Sequence, residues 1–347
     1  METEHTKHNI QLSPEAKAAS EELRTEIREL LSQQNISGPE ELNSLLSKNT
    51  LPTTYLEALK VKLQSLNIVL ATGEVPPELK VMTPERVKRI MGEDFFSVES
   101  IEETFDIQID REKIPQIPFS RTELERAHEL GLFLILRMDR SANGDPLTME
   151  NMIQILQPGY TRKGKGKILY ANNLWCKSEN FFKQETPRVK WALVSKDILT
   201  GTNNRDYLEQ TELVEKYLQQ ELYQAGNLPV EYQEAIEEFN REKGLIAMYI
   251  SRAEDKDYQL LAAEKLSKLK ITQFTRHTVV ELLYDFAVYF NCTNNRLLKN
   301  KSDSTMTRTI FGAFTELGPF MEKGTMALSS LAHQKDRFTG VVLSLTK

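Results

Sequence analysis

The sequence predicts an α+β protein, predominantly helical, with a mixed central domain and a small β-rich C-terminal tail. Three observations carry that expectation. Apolar residues recur at helical spacing through the first 70 residues and again from Tyr207 to Phe290. The short run "LFLILRM" (132–138) is apolar but for Arg137, which suits a buried strand better than a surface helix. After Asn300 the composition shifts toward short β-forming stretches separated by glycine-containing turns. The expected divisions are a helical region 1–75, a central domain 76–300 and a β-rich module 301–347.

Each element has a local reason. Ser13 followed by Pro14 makes an N-cap and first-turn pair, after which Leu23, Ile27, Leu30 and Leu31 line one helical face. Shorter amphipathic pieces follow at Leu42–Leu46 and Leu56–Leu66, and "TGEVPPELK" (72–80) reads as a linker. Thr83 caps a short helix that Gly92 stops, and a second helix starts from Ser97. "SRTE" (120–123) is a capping box whose helix ends at Gly131. Strands are expected at "KILY" (167–170) and "WALVSK" (191–196). Helices then resume, broken at "GNLP" and "RAEDKD". In the tail, "RTIFGAF" and "RFTGVVLSL" read as strands and "LGPF" as a turn.

Bulk properties exclude several classes. With 40% hydrophobic and 27% charged residues the chain is not a disordered one. A net charge of −6 argues against nucleic acid or an anionic membrane as a general partner. Between Arg205 and Leu245 there are 10 acidic and 4 basic residues, a pattern that a solvated helical face explains. Cys176 and Cys292 are far apart and lack metal-ligand spacing, so neither a disulfide framework nor a zinc site is expected. No run approaches the roughly 20 apolar residues of a membrane span, and a cytoplasmic protein without one is expected.

Three candidate sites stand out. In "DRSANGDPLTME" (139–150), Asp139, Ser141, Asn143, Asp145 and Glu150 fall at oxygen-donor positions of a calcium loop, with Gly144 at its bend. Pro146, Leu147 and the strand-like segment in front favour the other reading, a turn at Asn143-Gly144 with Thr148 capping the next helix. In "TRKGKGK" (161–167), Arg162, Lys163, Lys165 and Lys167 with two glycines could hold a phosphate or other anion, although the Walker spacing is absent. His277, Glu281 and Asp285 recur at intervals of four on an otherwise apolar helix, where they could ligate metal or exchange protons. The expected account is a narrow wet stripe, with Glu281 employed in a Thr278–Glu281 capping box. Trp175 and Trp191 read as core anchors. HExxH, GxSxG and GxGxxG patterns are absent.

Several phrases carry a resemblance: "IPFSRTELERAHELGLFLILRMD", "FFKQETPRVKWALVSKDILTG", "RDYLEQTELVEKYLQ", "LPVEYQEAIEEFN" and "KITQFTRHTVVELLYDFAVYF", within residues 117–290. Together they resemble a family of bacterial proteins from metagenomic and candidate-phylum genomes that is itself uncharacterised. The resemblance implies, as in some members, a C-terminal module like the C-type-lectin or formylglycine-generating-enzyme fold used for ligand display. "RTIFGAFTELG" and "RFTGVVLSL" look like its strands. The expected function is a non-catalytic ligand- or protein-binding role. The alternatives are a metal-dependent hydrolase, or phosphate or nucleic-acid binding through 161–167.

Overall fold

The computed structural model describes residues 12–47, 51–170, 175–223 and 228–347. It is mostly helical, with a smaller β-rich region toward the C-terminus. The chain divides into two compact units, Met1–Met82 with Ser120–Thr122, and Thr83–Phe119 with Glu123–Lys347.

The first unit is built from α1 (Pro14–Gln33), α2 (Pro39–Ser47), α3 (Thr53–Thr72) and the short α4 (Pro77–Lys80). Ser13 caps α1 by accepting the Ala16 N–H at 3.1 Å, relieving one of the unpaired donors of the first turn. Ala16, Leu23 and Val69 form one apolar cluster, and Ile36, Leu51, Tyr55 and Leu59 another. Gly73 ends α3 in the left-handed region at φ 72°. The segment expected to be a linker thus contains that cap and α4, because Pro77 can open a helix that it could not continue.

The second unit holds two four-stranded sheets and the remaining helices. These begin with α5 (Pro84–Met91), β1 (Phe95–Phe96), α6 (Val98–Phe105), α7 (Arg121–Glu129), β2 (Leu132–Arg137), α8 (Met149–Arg162), α9 (Asn180–Lys183) and β3 (Lys190–Ser195). There follow α10 (Tyr207–Tyr217), α11 (Val230–Ser251), α12 (Lys256–Lys268), α13 (Lys270–Thr275) and α14 (Val279–Thr293). The unit ends with β4 (Ser302–Arg308), β5 (Phe314–Met321), β6 (Gly324–Ser330), β7 (Thr339–Gly340) and β8 (Ser344–Leu345). One sheet runs β1-β2-β3-β8 and the other β6-β5-β4-β7. As expected, "LFLILR" is a strand, buried along its whole length, and its antiparallel register sets Arg137 opposite Lys190.

Helix α14 packs against β2 of one sheet and against β4 and β5 of the other. Every side chain from Val279 to Phe290 is buried, which explains why its apolar residues leave no clean stripe. Phe286 stacks on Phe320 at 5.6 Å, and Tyr284 meets Phe105 at 5.0 Å. The wet face expected for His277, Glu281 and Asp285 is therefore dry: all three have zero exposure.

Several strand expectations shift. "KILY" contributes one bridge, Leu169 to Thr325, not a strand. "RTIFGAF" is the β4–β5 turn, with Ile310 and Phe311 exposed at its tip. "LGPF" lies inside β5, where the register slips between Leu317 and Phe320. A side chain at Gly318 would strike the backbone of Lys301 and Ser302. Trp175 sits at the surface, donating its indole N–H to the Ala327 carbonyl at 3.2 Å, while Trp191 is the buried anchor.

Candidate functional site

The calcium-like loop closes on itself. Leu147 N–H reaches Asp139 O at 2.7 Å, Ser141 N–H reaches Asp145 O at 2.9 Å, and Gly144 N–H reaches Ser141 O at 3.0 Å. Among its expected oxygen donors, Asp139 accepts Arg140 Nε at 2.8 Å, and Ser141 Oγ is buried, accepting the Asp145 N–H at 3.2 Å. Asn143 and Asp145 are exposed. Thr148 caps α8 through the Asn151 N–H, and Glu150 lies in the first turn of that helix. No group of three or more His, Cys, Asp or Glu side chains able to share a metal ion occurs among the described residues.

The basic loop follows α8. Arg162, Lys163 and Lys167 are exposed, and the Lys165 ammonium lies 4.8 Å from the Phe290 ring centre. The N–H groups of Lys163, Gly164, Lys165 and Lys167 are donated to Gly159, Thr161, Tyr160 and Glu322 carbonyls. Anion binding here would rest on side-chain charge, because those four N–H groups are already used.

Behind these surface features lies a charge cluster that the sequence only hinted at. Arg137, the last residue of β2, donates Nε to Asp285 Oδ1 at 3.0 Å, and its Nη2 bonds both Asp285 Oδ2 and Ser344 Oγ. Its Nη1 stands 3.6 Å from Glu281 Oε2. Glu281 in turn accepts Arg188 Nε at 2.7 Å and Nη2 at 2.9 Å while completing the Thr278 capping box. His277 bridges two carboxylates, with Nε2 3.0 Å from Asp285 Oδ2 and Nδ1 3.2 Å from Asp303 Oδ2.

The electrostatics follow from burial and pairing. Burial alone would drive the Arg137 guanidinium toward neutrality, but Asp285 and Glu281 outweigh it and raise its pKa. Burial would likewise raise the Glu281 carboxyl, yet Arg137 and Arg188 hold it well below the usual carboxylate range. For His277, burial opposes the charge and the hydrogen bonds to Asp285 and Asp303 favour it, with a net upward shift. Lys190 is half-buried beside this group. Burial, against the pull of Glu281 and with the push of Arg188 and Arg137, lowers its ammonium to about 7.

The accessible counterpart is a cleft of about 410 Å³ between the start of α10, the outer face of β4–β5–β6 and the loop joining β6 to β7. Ser304, Glu316, Ser329, Ser330 and Thr339 come from the sheet, Arg205, Tyr207 and Gln210 from α10 and the residues before it, and Gln334, Lys335 and Asp336 from the loop. Ser304 and Glu316 are cross-strand partners. Glu316 is 6% exposed and accepts Thr339 Oγ1 at 2.9 Å. Burial pushes its carboxyl up, against hydrogen bonds from Ser330 and Thr339 and with repulsion from Asp336 and Asp303. Lys335 pairs with Glu209 at 2.7 Å, and Asp336 accepts the Phe338 N–H at 2.6 Å. Arg276 braces the wall from behind, 3.8 Å from the Tyr207 ring centre, and donates to Gln210 Oε1 and the Ser304 carbonyl.

None of these cleft residues was singled out by sequence. The one available signal was "SDSTMTR", a strand with polar residues on both faces, which is unusual unless the polar groups meet partners. Comparison with protein-family models, with curated proteins and with solved structures finds no match to this chain.

Proposed function

We propose that this is a non-catalytic binding protein whose cleft over β4–β6 takes a small, uncharged, hydroxyl-rich ligand of about one or two sugar rings. The observation that carries the reading is the contrast between two polar sites. The His277–Asp285–Arg137 group has the chemistry of proton transfer but no exposure, so a substrate has no route to it. The cleft is open and lined by hydroxyls, amides and a carboxyl whose pKa is raised toward the neutral form. Its two cations, Lys335 and Arg205, both face Glu209, at 2.7 and 3.7 Å, so an anion finds no unopposed positive charge there. Hydroxyls and amides that both donate and accept suit a neutral polyol. This keeps for the tail the ligand-display role that the resemblance implies.

Thermal melts of the full chain with trehalose, myo-inositol, putrescine and inorganic phosphate test it, because a ligand that prefers the folded state raises the midpoint by mass action. Trehalose or myo-inositol should raise the midpoint, and Leu328→Trp, which fills the cleft from β6 directly across from Glu316, should abolish the effect. A response to putrescine or phosphate alone, or a polyol response that survives Leu328→Trp, would refute the assignment.

A further inference from the structure

The cleft and the buried charge cluster share a strand. Along β4, Asp303 turns inward, where Oδ2 meets His277 and Oδ1 accepts the Val342 N–H at 2.7 Å. The next residue, Ser304, lines the cleft opposite Glu316. Successive side chains of a strand point to opposite faces, so a force on Asp303 is transmitted to the cleft floor through one peptide unit. His277 also holds β4 through its backbone, accepting the Met306 N–H at 2.9 Å.

Both groups facing the His277 ring are carboxylates, which accept hydrogen bonds and do not donate them. The two contacts at 3.0 and 3.2 Å are both satisfied when each ring nitrogen carries a proton, that is, in the imidazolium. The charged groups packed around it are Asp285 and Glu281 on α14, Arg137 on β2, Arg188 and Lys190 at the start of β3, Asp303 on β4 and Arg276 beside it. The Tyr207 phenol from α10 donates to the Thr305 carbonyl at 3.4 Å.

Resting on the reading that the cleft binds a polyol, we propose that the ring charge of His277 regulates it: the imidazolium clamps β4 to α14 and fixes the cleft floor, and loss of one ring proton frees β4 and weakens binding. A neutral ring leaves one carboxylate facing a lone pair, an uncompensated buried contact. The imidazole pKa is raised above its ordinary 6.5. The stability due to its charge is therefore complete below the unfolded value and lost as pH rises through the folded one. The clamp is an alkaline release.

The full chain is followed from about pH 6 to 10 by imidazole NMR, by amide exchange at Val342 and Met306, and by calorimetry with trehalose. His277→Asn assigns the ring signal, and a Lys190→Met background removes the neighbouring titration. The ring should be protonated at pH 7. Above its titration point, amide protection should fall about tenfold per pH unit beyond ordinary base catalysis, and trehalose affinity should fall in parallel. A ring neutral at pH 6, or Val342 and Met306 amides indifferent to its titration, overturns the clamp even if trehalose binds. Protection that follows the ring while trehalose fails to bind at every pH overturns the cleft reading, and the regulatory claim with it. Should His277→Asn not fold, the wild-type titration decides alone.

Discussion

Replacing Arg137 by methionine removes the guanidinium facing Asp285 and Glu281 while keeping much of the side-chain volume. Glu281 retains Arg188 and Asp285 retains His277, but Asp285 Oδ1 loses its 3.0 Å donor in a site without exposure. Breaking one partner of a buried pair costs about 3–5 kcal/mol. The unit that holds the cluster, of about 260 residues, unfolds with about 2.1 cal/mol/K per residue, so its midpoint should drop roughly 5–9 °C. Adding Asp285→Asn removes the opposite charge and still offers His277 Nε2–H an acceptor, the amide oxygen. The double variant should then cost less than the sum of the single ones by about 2 kcal/mol. Urea titration followed by tryptophan fluorescence is a selective assay, because Trp175 and Trp191 both belong to that unit. Single losses below about 1 kcal/mol, or strict additivity, would show that solvent reaches the cluster and that its burial has been misjudged.

Lys190→Met should raise the melting midpoint more at pH 6 than at pH 9. A lysine whose pKa falls to about 7 on folding opposes folding below that value, and the penalty fades as pH rises toward its ordinary range. Gly166→Ala should destabilise by about 1–3 kcal/mol, read by the same urea titration, because Gly166 has φ 84° and its new Cβ would lie 2.2 Å from the Glu322 carbonyl oxygen. Millimolar calcium should leave the midpoint within error of a chelated sample, since the backbone of the Asp139 loop is closed by its own hydrogen bonds and Arg140 holds the Asp139 carboxylate. A rise with calcium would reinstate the ion-binding loop.

Local chemistry made much of the fold legible. The Ser13-Pro14 start, the Thr148 cap and the Thr278–Glu281 box all lie where residue type announces them, because a cap depends on neighbours three residues apart. The apolar run Leu132 to Leu136 of β2 was equally clear. What sequence could not supply was the company a polar residue keeps. His277, Glu281 and Asp285 were visible as a row, but their partners Arg137, Arg188 and Asp303 come from other elements, so a dry ionic cluster looked like a wet stripe. The cleft was invisible for the same reason. It is made by register, with Ser304 set against Glu316, and by a loop folding back over both, and neither fact has a local signature.

The ionic cluster also bears on the route by which this molecule reaches its native state. Its contacts join positions 148 residues apart between Arg137 and Asp285, 207 apart between Arg137 and Ser344, and 93 apart between Arg188 and Glu281. Such distant contacts form late and reward the chain little until they are all in place. A half-assembled form would bury some of these ions without their counterparts, at a cost larger than the loose packing it gained. Partial assembly is thereby discouraged, and the two sheets and the helix between them should come together in one cooperative step.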